Sequence, residues 1–323
     1  NIFVGQRTHD VDIFGQILAR ESKNWGHLCL PMEYDGSRKC VTYLNNGHGK
    51  LGKRIFEDPR TVPNALLNPE RYGPETATDD KEILPTRTWN AQYQQQPEGA
   101  GGIILKRGWW RKWEWPTWHP EYRKTERPLP EVIEVIQCYD TAFEEGEQDS
   151  FTVRTTWVVF SHQEDSKPGS RAGRSEAGKL SACLVERKKW KPSFGEMRDE
   201  AALSADIWLP DRVLIEKKAS GHSLIQELRK KKMRNGNGLP VRGVKVTGDL
   251  VYRANITSLP LEKGAIWYVD RAWAKDCIEE CAKFPNGAHD DMVDTFTQAI
   301  MRLLVRYRGN AKVGVTQKGE VIR

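Results

Sequence analysis

Asp140 follows the run Val132-Ile133-Glu134-Val135-Ile136-Gln137-Cys138-Tyr139, and Glu216 follows Val213-Leu214-Ile215. Asp290, Asp291 and Asp294 crowd the start of the last long helical pattern. Carboxylates are hard oxygen ligands, and hydrolysis of a phosphodiester with two magnesium ions needs such ligands around ions about 4 Å apart. Two neighbouring strands ending in carboxylates, with a helix beside them carrying a third, would place those ligands on one rim of a sheet. Asp291 and Asp294 are three residues apart, so one helix can direct both toward that rim. Each acid also has a plain structural reading. An Asp after a strand caps a turn or a helix, and Asp290 stands where the helix dipole favours negative charge. The case for a metal site rests on the acids together. Clustered carboxylates repel one another, and a divalent ion relieves that strain. His289, beside the acids, can cap the helix, orient a carboxylate or take part in catalysis.

The elements that must position these acids follow from periodicity. Strands are expected over 132–139, 151–160, 180–187, 213–215 and 241–246, with a shorter one over 265–269. Helices are expected over 193–208, 223–233, 272–283 and 289–307. In the last, Val293, Phe296, Ile300, Leu303, Leu304 and Tyr307 share one face. The polar run 161–179 reads as a hairpin tip. Three strands in succession, then alternating helices and strands, describe a mixed sheet flanked by helices, in the ribonuclease H-like order. Upstream, residues 2–4 read as a short strand, 10–21 and 88–95 as helices, and 36–81 as loop-dominated or only locally helical. The breaker Gly99-Ala100-Gly101-Gly102 is the expected boundary. The domains are then 1–98, a Gly- and Trp-rich linker 99–130, the α/β domain 131–308 and a basic tail 309–323. The opening Asn1-Ile2-Phe3-Val4-Gly5 reads as a strand already under way, so a piece of a longer polypeptide is expected.

Other features narrow the function. The 323 residues carry 50 Lys+Arg against 44 Asp+Glu, a formal charge of +6, which favours a polyanionic partner only weakly. No apolar run approaches the roughly 18 residues of a membrane span. There is no Gly-x-Ser-x-Gly nucleophile motif. Six cysteines form neither a disulfide-like nor a zinc-like pattern. Cys277 and Cys281, one helical turn apart, read as thiols on a buried face, which points to a reducing, intracellular setting. The run Gly47-His48-Gly49-Lys50-Leu51-Gly52-Lys53-Arg54 approaches a phosphate-binding loop, but Arg54 has no hydroxyl for magnesium and no suitable strand leads in. A charged surface loop is the better account. Trp109, Trp110, Trp113, Trp115 and Trp118 alternate with cations, as in surfaces that stack on bases. Packing of the linker onto the next domain is the favoured explanation.

Taken together, these segments resemble the large terminase subunit of tailed bacteriophages. Thr88-Trp89-Asn90-Ala91-Gln92-Tyr93-Gln94-Gln95-Gln96-Pro97 is similar to the end of that family's ATPase region. Tyr139-Asp140-Thr141-Ala142-Phe143, Ile215-Glu216-Lys217-Lys218-Ala219-Ser220-Gly221 and Phe284-Pro285-Asn286-Gly287-Ala288-His289-Asp290-Asp291-Met292-Val293-Asp294 resemble its three nuclease motifs. Gly5-Gln6-Arg7-Thr8-His9-Asp10-Val11-Asp12 is similar to a late ATPase segment, with Gln6 and Thr8 departing from the pattern. Gly248-Asp249-Leu250-Val251-Tyr252-Arg253-Ala254 resembles another family stretch, without the Lys common after the Asp.

The resemblance implies the C-terminal part of a P-loop ATPase followed by a ribonuclease H-like endonuclease that cuts concatemeric double-stranded DNA during packaging. It implies two Mg2+ or Mn2+ ions on Asp140, Glu216 and Asp291, with Asp294 a further ligand or a supporting carboxylate. Lys217, Lys218 and Arg253 would contact DNA phosphates, although a surface lysine pair accounts equally well for one of the two lysines. ATP would be turned over only by the full-length protein. The portal protein and the small terminase subunit are the implied partners, and the host cytoplasm the implied location, with no membrane. The competing expectations are a resolvase or transposase of the same fold class, and a non-catalytic module that grips DNA.

Overall fold

The structure is a computed structural model, which describes residues 2–20, 27–36, 40–45, 51–98, 103–113, 131–141, 151–162, 179–217, 219–245 and 248–310. It divides into two compact units, Asn1–Gly102 and Ile103–Arg323.

The first unit holds helix α1 (Ile13–Ala19), strands β1 (Val41–Asn45) and β2 (Leu51–Glu57), and helices α2 (Pro74–Ile83) and α3 (Thr86–Gln92). No strand forms at residues 2–4, whose side chains are exposed. The stretch 36–81, expected to be loop-dominated or only locally helical, holds most of α2 and also the antiparallel β1–β2 pair, which was not expected. Gly52, Lys53 and Arg54 lie within β2, whereas a phosphate-binding loop would pass into a helix at that point. Residues 46–50 lie outside the described residues. Arg60 ties the unit together: it pairs with buried Asp58 and donates to the carbonyls of Pro31, Met32 and Ala65. In α3, buried Trp89 stacks on Tyr93 with ring centroids 4.4 Å apart.

The second unit is built on a seven-stranded mixed sheet. Its strands are β3 (Arg111–Lys112), β4 (Glu131–Asp140), β5 (Thr152–His162), β6 (Lys179–Trp190), β7 (Arg212–Glu216), β8 (Val241–Val244) and β9 (Ile266–Tyr268). The order across the sheet is β3-β9-β6-β5-β4-β7-β8. The β4–β5–β6 meander is antiparallel, and the pairs β4–β7, β7–β8, β6–β9 and β3–β9 are parallel. Helices α4 (Phe194–Trp208), α5 (Ala219–Arg229), α6 (Leu250–Glu262), α7 (Ala272–Lys283) and α8 (Asp291–Asn310) complete it. The expected mixed sheet with flanking helices is therefore present. Helix α6 is an addition: Pro260, in its last turn, and several β-branched residues had masked it in the sequence. Residues 163–178 and 311–323, and with them the hairpin tip and most of the basic tail, lie outside the described residues.

Strand alternation decides which residues meet which helices. On β4, Ile136 and Cys138 join the core beneath α8, with Trp157 of β5 and Phe296 of α8. Tyr139 points the other way, among Met197 and Ala201 of α4 and Leu224 of α5. Ser193 caps α4 through a reciprocal capping box with Glu196. Trp110 and Trp113 are buried in the second unit, where Trp113 meets Phe160 edge-on at 5.2 Å. These tryptophans pack; Trp115 and Trp118 fall outside the described residues. Cys277 and Cys281 lie on the buried face of α7, and burial pushes both thiols up.

Candidate metal centre at the sheet rim

Parallel pairing of β4 with β7 brings Tyr139 beside Ile215, so Asp140 and Glu216 end neighbouring strands on the same rim. Both follow the α8-facing alternation set by Cys138 and Leu214, whose side chains share the core with α8. Asp294, in the first turn of α8, supplies a third carboxylate. One carboxylate oxygen from each of Asp140, Glu216 and Asp294 lies within 4.8 Å of the others. All three residues are largely withdrawn from solvent, at 8%, 7% and 8% exposure. Hard oxygen donors from three elements, converging in a partly buried niche, fit a hard divalent cation such as Mg2+ or Mn2+.

Gly221 packs directly against the end of β7. A Cβ at that position would stand 1.9 Å from the carbonyl oxygen of Glu216, so only glycine lets α5 start this close to the end of β7. This is the physical content of the Glu216-to-Gly221 spacing.

Asp291 is placed differently. Its Oδ2 lies 2.9 Å from Nζ of Lys189, which also reaches Glu280 at 3.4 Å. Three residues along a helix amount to a rotation of about 60° between side chains. That rotation turns Asp291 toward β6 while Asp294 faces Asp140 and Glu216. Glu280 additionally accepts the backbone N–H of Met292 at 2.7 Å, capping the start of α8 from α7. Asp290 is exposed, yet partial desolvation, followed by the nearby charges of Asp291 and Asp294, raises its carboxyl above the ordinary value. His289 is exposed, with its ring edge-on to Phe151 at 6.3 Å.

The basic residues separate as well. Lys217 is exposed, and its aliphatic stem runs across β8, where a Cβ on Gly243 would meet it at 2.6 Å. Lys218 lies outside the described residues. Arg253 is 8% exposed, and its Nη1 donates to Oδ1 of Asp294 at 2.6 Å and to Oγ1 of Thr297 at 3.0 Å. Sequence reasoning had given Arg253 a phosphate and had missed Lys189 and Glu280. The run Arg187-Lys188-Lys189 at the end of β6 was a visible signal for Lys189. Nothing local marks Glu280, because its partners come from β6 and α8.

Residues 175–303 match the family described as the terminase RNaseH-like domain. The matched residues all lie in the second unit. The resemblance read from the sequence and the ribonuclease H-like fold class both stand. No curated protein matches the chain. Among solved structures, the large terminase of a thermophilic bacteriophage in complex with ADP is 14% identical with a TM-score of 0.46, covering 72% of this chain and 52% of that one. The large terminase nuclease of the thermophilic phage G20c with bound magnesium is 12% identical with a TM-score of 0.37, covering 63% of this chain and 98% of that one. The chain thus spans about half the length of the ADP-bound terminase.

Proposed function

We propose that the second unit is the metal-dependent endonuclease of a phage DNA-packaging motor, cutting concatemeric double-stranded DNA. The observation that carries this reading is the convergence of Asp140, Glu216 and Asp294, within 4.8 Å, in a unit whose residues 175–303 match the terminase RNaseH-like family. These three carboxylates would hold Mg2+ or Mn2+. A bound divalent ion would supply Lewis-acid polarisation of the phosphate and a more acidic water. The finer part of the reading, two ions per site, is a matter of stoichiometry that a Mn2+ titration counts.

This chain's own residues have defined tasks in that scheme. Asp140 and Glu216, fixed by strand pairing, set the ligand oxygens without a loop rearrangement. Partial burial limits competing water around them, which strengthens their electrostatic action. Lys217, exposed just beyond Glu216, would contact a backbone phosphate in this reading. Asp291, paired with Lys189, supports α8 from outside the three-carboxylate group. The first unit corresponds in this reading to the end of an ATPase region. The portal, the small terminase subunit and the host cytoplasm follow as partners and location from the same family reading.

The test is Mn2+-dependent nicking of supercoiled plasmid by purified protein shown free of contaminating nuclease. Wild type is expected to nick, and Asp140→Ala and Glu216→Ala to fall to background. Near-normal nicking by Asp140→Ala would overturn the assignment. DNA binding without nicking in wild type would favour a DNA-gripping module.

A further inference from the structure

Arg253 has no task in the hydrolytic scheme above, and its surroundings are specific. It projects from α6, whose first turn is capped by Asp249 accepting the Tyr252 N–H at 2.6 Å. The side chain enters the unit beside α8, and its Nε is buried without a hydrogen-bond partner. A single nitrogen, Nη1, serves both Asp294 Oδ1 and Thr297 Oγ1. The Thr297 hydroxyl donates its own proton to the Asp294 carbonyl at 2.9 Å, so toward Arg253 it can only accept. The direction of each bond in this small network is therefore determined.

One feature distinguishes this contact from a structural ion pair such as that of Arg154. The guanidinium takes Asp294 Oδ1 through one nitrogen, and the carboxylate it holds is one of the three whose oxygens converge on the rim. A carboxylate pinned at one oxygen has its remaining oxygen directed, and its side-chain rotation is stopped.

We propose that Arg253 is a positioning residue for metal binding. It holds Asp294 by Oδ1 and so presents the carboxylate to an ion shared with Asp140 and Glu216. Thr297 is the anchor that keeps the guanidinium in place. The inference rests on the metal-centre reading above and assigns to Arg253 a role other than contact with DNA phosphate. Burial of the guanidinium against α8 agrees with that assignment. Hydrogen-bonding partners of metal ligands orient the ligand, and their loss characteristically weakens metal binding.

The experiment is a calorimetric titration of Mn2+ into metal-stripped protein without DNA, with near-ultraviolet circular dichroism to confirm the fold. The variants are Arg253→Met, Arg253→Lys, Thr297→Val and Asp140→Ala. Arg253→Met is expected to weaken Mn2+ binding by about 10- to 100-fold. Arg253→Lys should recover part of that loss, because one charged donor remains. Thr297→Val should weaken binding several-fold without removing any charge. Should Arg253→Met fail to fold, Arg253→Lys and Thr297→Val carry the test: weaker binding in both supports the proposal, and unchanged binding in both overturns it. Folded Arg253→Met that binds Mn2+ as tightly as wild type, or more tightly, also overturns it. Binding that needs Asp140 but is indifferent to Arg253 removes this inference alone. A wild type with no saturable Mn2+ uptake removes the metal-centre reading itself.

Discussion

Two polar clusters flank the end of β4 on opposite faces of the sheet, and they are built on different principles. On the α4 side, Arg154 is 2% exposed and pairs with Glu186 at 2.9 Å and Glu200 at 3.0 Å. Thr156 donates to the second oxygen of Glu186, and Lys188 reaches Glu200 at 2.7 Å. Cations and carboxylates alternate there, and the group closes on itself. Burial pushes the neighbouring Tyr139 phenol up to about 12, so it stays neutral beside these charges. On the α8 side, Asp140, Glu216 and Asp294 bring like charges together, and Arg253 touches Asp294 at one oxygen. Adjacent residues of one strand, Tyr139 and Asp140, thus belong to two groups, one alternating in charge and one dominated by a single sign. The comparison teaches that burial of charge alone does not mark a site. Convergence of like charges does.

The sharpest way to break this contrast is to remove one member from each cluster. Asp140→Ala should lose plasmid nicking altogether while keeping, or slightly raising, metal-free thermal stability, because it relieves repulsion. In wild type Mn2+ should raise the melting temperature, since a ligand bound only by the folded state stabilises it, and the variant should lose that rise. A clear loss of metal-free stability in Asp140→Ala would place its carboxylate with the structural acids instead.

Arg154→Met should do the reverse. Stranding Glu186 and Glu200 is expected to cost about 3–5 kcal/mol in denaturant unfolding, with no rescue by Mn2+. Rescue by the ion would mean that the two clusters are not independent. A smaller effect is expected from Gly221→Ala, where the added methyl must displace α5 from the Glu216 carbonyl. Overpacking of this kind costs about 1–3 kcal/mol, and here nicking should fall further than stability does. Equal losses in both would show that the close approach serves the fold rather than the aim of Glu216.

The smallest expected effect is on pH dependence. Burial works to raise the Glu200 carboxyl, but Lys188 and Arg154 outweigh it and hold it below the ordinary value. A depressed carboxyl contributes stability that is full above the unfolded pKa of about 4.3 and is lost as pH falls through the folded value. Acid unfolding curves of wild type and Glu200→Gln should therefore converge as pH drops below about 4. Parallel curves across that range would remove Glu200 from the self-contained cluster.

What the chain's sequence determined by itself was local and periodic. The apolar, β-branched-rich runs 132–139 and 213–215 specified strands whose last residues are Asp140 and Glu216. The apolar spacing from Val293 to Leu303 specified the buried face of α8, where Val293, Phe296, Ile300 and Leu303 are all at or below 2% exposure. Helix α6 escaped because Pro260 reads as a breaker in one dimension, although a proline in the last turn leaves most of the helical hydrogen bonds in place. The choice between Asp291 and Asp294 belonged to the tertiary structure. Both spacings are compatible with the rim, and the docking of α8 against β6 and α7 turns Asp291 to Lys189 and Asp294 to the other acids. The place of Arg253 was likewise decided only by packing. An arginine at this position looks like a surface cation until α6 and α8 are laid side by side, because burial is a property of neighbours that sequence distance does not record.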